Sequence, residues 1–509
     1  MGMGILRQKS RSGMPSRLGD LWADFWRWCL FAAGVVIGVY LLLDRGVANG
    51  AVTAAAIGAL VVALALTGAK PMAIGLIATP ALFIVERVGL GGGDLTVSDV
   101  ALAGAFASAV FLGDRDLSPP LKALLRFNLV YQFATLFTVI INPFQQNTVE
   151  WLHAWLLISG ALLGGWALGR SGKARTAFIL MHLMGAVIAV GVIVTALPSF
   201  LAGDFRGVYP HWPWPMHKNF AGGALAFVAF LGYMNPDWAA LTKRWARASM
   251  LLAVIGLLLT QSRQAMIGLI VAVLVHVVRQ GAAKHWLVIT AISVPGVLLI
   301  VQSVIEQVES QNRFNSVYQR LEWIREVYAL WKHSPIVGHG LRYWYVTPEA
   351  AFQPPQAELE VLASAGIVGL AAFVVMWIGI VVVLWRVDPR FGMLALGSVL
   401  ARITQAQFDL FWVAAQVSIP FFIAGVCLGA QALAVTRGEA DGYWSVRTKP
   451  GRPGYRARMI NRNTHGGGDG DPRLSARAEA SRDRDRAAGA AGGRRRLWVG
   501  GDPDAGLPG

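Results

Sequence analysis

The residues best equipped for chemistry are arginines. Arg263 sits in Thr260-Gln261-Ser262-Arg263-Gln264, a polar tip between two apolar arms. Arg320, Arg325 and Arg342 lie in one long stretch of mixed polarity together with His339, and Glu358 closes it. His217-Lys218-Asn219 immediately precedes another apolar run, and Asp409 ends the segment that starts at Gln405 in a later connection. A guanidinium fork binds phosphate oxygens two at a time and stabilises the charge of a departing diphosphate. Many arginines, some histidines and few acids therefore suit a polyanionic lipid head. They do not suit hydrolytic zinc chemistry, because no HExxH is present. Asp114-Arg115-Asp116 has the DxD spacing of metal-dependent sugar transferases, but it falls in an inner connection, so no metal or other cofactor is expected.

Each of these groups also has a plainer reading. The arms around Arg263 end at Arg247 and Arg279, sixteen residues away on either side. Each arm then reaches about 24 Å, short of a hydrocarbon core of about 30 Å. Arg263 either faces a polar cavity or an anion from below the outer surface, or snorkels from an ordinary hairpin tip. Val317, Leu321, Ile324, Tyr328 and Trp331 recur at helical spacing, Ser316 with Gln319 forms a capping-box start, and Pro335 marks the stop. That helix either offers Arg320 and Arg325 to a site at the bundle mouth or is an interfacial helix with solvated charges. Trp212 and Trp214 fit an aromatic belt. Asp409 serves either as a catalytic part or in an ion pair with Arg402.

The elements that must position these residues are membrane helices. The chain has 509 residues, of which 55% are hydrophobic and only 15% charged, too few charges for a soluble chain of this size. The expected fold is all-α, a polytopic transmembrane helix bundle of about 12–14 spans. Candidate spans are 29–43, 51–69, 71–86, 100–113, 123–141, 151–168, 176–197, 217–234, 248–261, 264–278, 285–303, 358–385, 391–404 and 411–435. With the N-terminus inside, cations such as Lys70, Arg115, Lys122, Arg126, Lys243, Arg244 and Arg247 concentrate on the inner connections. Residues 304–357 then form one long outer loop containing short helices, and both termini are cytoplasmic. Residues 1–28 are a basic N-terminus with no cleavage site, 29–435 the bundle, and 436–509 a disordered basic tail. The net charge of +16 belongs to the membrane faces and the tail, so no nucleic acid is expected. Cys29 and Cys427 read as packing residues.

Taken in order, the motifs resemble a known family. Thr260-Gln261-Ser262-Arg263 is followed by the loop with Arg320-x-x-Trp323, then Pro335-Ile336-Val337-Gly338-His339-Gly340, then the stretch from Leu359 through Ala363 and Gly366 to Gly369-Leu370. Gly91-Gly92-Gly93-Asp94-Leu95-Thr96-Val97-Ser98-Asp99 and the His217-Lys218-Asn219 start of a span are similar as well. The set resembles the O-antigen ligase / O-antigen polymerase-like superfamily of bacterial inner-membrane proteins, over roughly residues 80 to 430.

The resemblance implies metal-independent transfer of a glycan from an undecaprenyl-diphosphate carrier to a lipid or saccharide acceptor on the periplasmic side. The family's diphosphate-binding arginines fall on Arg263 and Arg320, with Arg342, His217, Lys218, Arg325 and Asp409 as further substrate-binding candidates. One departure matters: members carry a His-Asn pair where this chain has Pro355-Gln356. The base is then missing or replaced, and Glu358 and His339 are the candidates within reach. The alternatives are a transporter or flippase for lipid-linked saccharide, or a catalytically degenerate family member. A long outer loop with no inner counterpart favours the transferase, because alternating access uses both faces.

Overall fold

The computed structural model describes residue 25 and residues 72–87, 95–279, 316–347 and 353–445. Candidate spans 29–43, 51–69 and 285–303, the basic N-terminus apart from Phe25, and the tail from 446 lie outside the described residues. Among those described there is no strand, only the isolated bridge pairs Arg87 with Thr96 and Val387 with Trp444.

The helices in chain order are α1 (Ala73–Ala81), α2 (Val97–Leu112), α3 (Pro119–Ile141), α4 (Gln145–Arg170), α5 (Ala174–Leu201), α6 (Lys218–Met234) and α7 (Lys243–Thr260). They continue as α8 (Arg263–Arg279), α9 (Ser316–His333), the single turn α10 (Tyr343–Val346), α11 (Ala357–Arg386), α12 (Pro389–Ala406) and α13 (Ser418–Thr436). Five of them, α3, α4, α5, α11 and α13, are long and apolar enough to cross a membrane. Their starts carry recognisable local chemistry. Pro119 opens α3 and Pro389 opens α12, where the absent N–H has no partner to lose. Thr96 and Asp99 close a reciprocal capping box on α2, with Thr96 Oγ1 accepting from Asp99 N at 3.3 Å and the Asp99 carboxylate accepting from Thr96 N at 2.9 Å.

In lipid, helices associate through close packing and polar contacts rather than by escaping water, so small residues at the seam matter. The α4–α13 seam follows that rule. A Cβ at Gly165 would stand 2.1 Å from the Phe422 carbonyl oxygen, and one at Gly429 2.2 Å from that of Trp166. Around this pair, α12 packs on α13 and α8, α6 on α7 and α8, α7 on α5, α11 on α3, and α2 on α1 and α4. One end of the seam is held by charge. Arg170 Nε meets Asp114 Oδ2 at 2.9 Å and Nη1 donates to the Ala432 carbonyl at 2.9 Å, which ties the DxD-spaced connection to α13. Residues 437–445, assigned to the tail by composition, dock at this end instead: Ser445 N donates to Arg386 O at 2.7 Å and Gln431 Nε2 to Tyr443 O at 2.8 Å.

The loop helix α9 starts at Ser316 and stops at His333, before Pro335, as its sequence signals. Its apolar stripe has the orientation of the interfacial alternative. Leu321, Ile324 and Tyr328 are about half exposed, and the residue buried against the bundle is Val327, at 3%. The apolar stripe thus faces away from the protein, on the side an interfacial helix turns toward lipid.

Candidate functional site

The site begins with a backbone clasp between loop and bundle. His339 N donates to Ala363 O (3.1 Å), Gly340 N to Ser364 O (2.9 Å), Ile367 N to Pro335 O (2.9 Å) and Val368 N to Ile336 O (3.2 Å). These bonds exist because α11 is broken at Gly366, whose φ of 65° and ψ of −165° expose carbonyls that a regular helix would consume. Gly338, at φ 70°, faces it. A Cβ at Gly366 would lie 2.3 Å from Ile336 O, and one at Gly338 2.4 Å from Ser364 O. The two glycine-bearing motifs are therefore the two halves of one clasp. It fixes the loop carrying His339 and Arg342 against the helix carrying Glu358 and Glu360.

Around the connection from α12 to α13 the polar groups converge. Glu358 Oε1 accepts from Gln407 Nε2 at 2.7 Å, and its Oε2 is buried with no hydrogen-bond partner among the described residues. The Arg320 guanidinium lies 5.2 Å from the centroid of the Phe408 ring, and partial desolvation lowers its pKa. Asp409 Oδ2 accepts from Gln264 Nε2 at 2.6 Å and from Asn219 Nδ2 at 3.3 Å. Those last two residues adjoin Arg263 and Lys218. Residues from four separate helices, α6, α8, α9 and α11, thus meet three consecutive residues, Gln407, Phe408 and Asp409.

Arg402 secures that connection from below. Its side chain is fully buried and donates to Gln416 Oε1 (2.8 Å), Leu410 O (2.6 Å) and Phe411 O, with its guanidinium 5.2 Å from the Phe411 ring centroid. The pairing of Arg402 with Asp409 is not formed: carbonyls and an amide accept from the arginine's terminal nitrogens, its Nε has no partner among the described residues, and amides hold the aspartate. An arginine at this depth needs such partners.

The other sequence candidates divide. His217 caps α6, its Nδ1 accepting from Asn219 N at 3.2 Å, with its ring edge-on to Tyr209. Partial burial lowers its pKa; Asp409 opposes the shift and Lys218 adds to it. Lys218 Nζ sits 5.7 Å from the Tyr209 ring centroid, and Arg263 is exposed at the start of α8. Arg325 points outward to Glu322, 3.6 Å away and exposed, and so stands apart from the cluster. His339 is 2.8 Å through Nε2 from the Leu330 carbonyl, which can only accept, so that nitrogen carries the proton and the ring braces α9.

Arg342 opens onto a set of residues absent from the sequence candidates. Its Nε meets Glu150 Oε2 at 2.8 Å, Glu150 Oε1 is 3.6 Å from His153 Nδ1, and His153 Nε2 is 2.9 Å from Asp99 Oδ1. Both carboxylates are buried. Only Asp99 carried a sequence signal, as the last residue of the Gly91-to-Asp99 motif. Glu150 and His153 sit near the start of an otherwise apolar run and show no motif. A separate cavity of about 690 Å³ lies at the opposite end, between Asn235, Trp238, Arg279, Arg390 and Phe391, far from all these groups.

Apolar spanning helices around a cluster of charged side chains at one end of the bundle define an integral membrane protein with a polar site at one face. Residues 248–374 match the family described as O-antigen ligase, a region running from α7 through the loop into α11. The match supports an O-antigen ligase-like superfamily, that is, a membrane glycan ligase or polymerase family. No curated protein matches the chain.

Proposed function

We propose that the protein transfers a glycan from an undecaprenyl-diphosphate carrier to a lipid or saccharide acceptor on the periplasmic side of the bacterial inner membrane, without a metal. The observation that carries this reading is the meeting of Arg320, Glu358, Gln264 and Asn219 on Gln407, Phe408 and Asp409, with Arg263 the exposed neighbour of Gln264 at the start of α8. Glu358 is the base. Its Oε1 is fixed by Gln407, and Oε2 takes the proton of the acceptor hydroxyl. The acceptor oxygen forms a bond to the anomeric carbon from the face opposite the leaving group. The bond from that carbon to the phosphate oxygen breaks, and its electron pair leaves with the diphosphate. Arg263 and Arg320 stabilise that charge, while Lys218 and His217 lie beside it as auxiliary groups.

The test is turnover with purified protein and a lipid-diphosphate-linked donor. A transferase releases undecaprenyl diphosphate in step with glycan transfer; lipid movement across vesicles without release would sink the reading. Arg263→Lys keeps the charge and loses the fork. The expected drop in turnover is roughly tenfold to a hundredfold at unchanged thermal stability, below the loss for a deleted oxyanion donor. Unchanged turnover would return Arg263 to the snorkelling reading.

A further inference from the structure

Asp99, His153, Glu150 and Arg342 form a ladder from three parts of the chain, its two carboxylates buried and its histidine and arginine partly exposed, and no step of the proposed transfer uses the first three. We propose that Asp99, His153 and Glu150 are a positioning unit for Arg342, which they hold by Nε so that its two terminal nitrogens face a phosphate-bearing ligand. This inference rests on the diphosphate reading above.

Three observations carry it. First, the grip is on one edge of the guanidinium only. Nε stands 2.8 Å from Glu150 Oε2 as an ion pair, that oxygen having no aligned hydrogen bond, and among the described residues nothing is hydrogen-bonded to the terminal nitrogens. Those two nitrogens are the pair that engages phosphate oxygens in a fork. Second, the rest of Arg342 is fixed: its backbone N donates to Asn147 Oδ1 at 3.1 Å, and the guanidinium lies 4.4 Å from the Tyr345 ring centroid. A fork fixed before the ligand arrives loses less freedom on binding. Third, the carboxylate that holds Arg342 is itself shared. Glu150 touches His153 with its other oxygen, and His153 touches Asp99, which the α2 capping box locks in place. A lone glutamate would spend its whole charge on the arginine. A histidine between two carboxylates draws part of that charge away and leaves Arg342 more attractive to an anion.

The plain alternative is a structural staple between α4 and the loop. Binding of undecaprenyl diphosphate to the full-length protein in lipid nanodiscs, read by tryptophan fluorescence with thermal unfolding alongside, separates the two. Arg342→Lys and Glu150→Gln each weaken binding about tenfold, and the double variant is no weaker than Arg342→Lys alone, because both remove one device. In turnover, Glu150→Gln raises KM for the donor more than it lowers kcat. Wild-type affinity in Glu150→Gln alongside a loss in Arg342→Lys overturns the positioning role, and so do strictly additive losses. Should Glu150→Gln not fold, His153→Gln keeps the Glu150–Arg342 pair but removes the shared charge. A fall in affinity then supports the inference, and wild-type affinity overturns it. A wild-type protein that neither binds the lipid diphosphate nor turns over donor fails the functional reading itself, a result distinct from all of these.

Discussion

Glycine builds two regions of this bundle by opposite means. Along the α4–α13 seam the close glycines are helical and the contact is backbone on backbone, with a charged side chain, Arg170, only at its end. At the clasp, Gly338 and Gly366 adopt φ of 70° and 65°, break regular structure, and place charged residues on both sides. The seam sets how closely two helices approach. The clasp sets where Arg342 and Glu358 stand relative to one another. One region tolerates nothing larger because of space alone, the other because of conformation as well as space, and the two should fail differently when broken.

The seam gives the largest expected effect. Gly165→Leu puts a branched side chain where even a Cβ would be 2.1 Å from a carbonyl oxygen, so α4 and α13 must separate. Overpacking of this kind costs about 3 kcal/mol or more, and the backbone obstacle cannot rotate away. The expected outcome is loss of monodisperse protein on size-exclusion chromatography in detergent, whatever the assay for activity. Recovery of stable, folded protein would show that the seam is looser than its geometry implies.

The clasp comes next, and there activity should suffer before stability. Gly366→Ala forces an alanine into a region of φ/ψ space that only glycine populates readily, at about 1–3 kcal/mol, and drives a Cβ into Ile336 O. The cheaper escape is for α11 to become regular and release the loop. The variant should therefore purify as a folded protein with a modestly lower Tm while glycan transfer falls at least about tenfold, since an ångström of misplacement is costly to a positioned site. Equal losses in Tm and turnover would erase the distinction between clasp and seam.

The same contrast explains what could be read from the chain in advance. Helix existence, the stop of α9 before Pro335 and the starts at Pro119 and Pro389 are written in local residue chemistry, and each sits where its signal lies. The motif around Gly338-His339-Gly340 was visible as a pattern, but its physical reason, a clasp with the broken helix at Gly366, needs both partners in space. An ion pair of Arg402 with Asp409 was one of two open readings, because they are near in sequence and opposite in charge. In the fold each is claimed by neutral partners. Glu150 and His153 stayed silent because an acid and a histidine near the start of an apolar helix carry no period or spacing that distinguishes them. Their meaning comes only from Asp99 and Arg342, residues that the sequence holds far away. The orientation of α9 stayed open in the sequence because periodicity marks an apolar face without saying whether protein or lipid receives it.

The smallest expected effect lies at the edge of the polar constellation. His217 caps α6 through a neutral Nδ1, and partial burial lowers its pKa in the folded protein. The unfolded chain then binds this proton more readily than the folded one, so the stability His217 confers is fully present above the ordinary histidine value of about 6.5 and is lost as pH falls through the lowered one. His217→Asn keeps an N-capping acceptor but cannot titrate. Compared by Tm between pH 7.5 and 5.5, the wild-type protein should lose slightly more stability on acidification than the variant, with the two matching at the higher pH. Parallel curves would mean that protonating His217 costs the fold nothing. The cap would then be a bystander to the cluster of Asn219, Gln264 and Asp409 it adjoins, and the boundary between scaffold and site would run one residue further into α6.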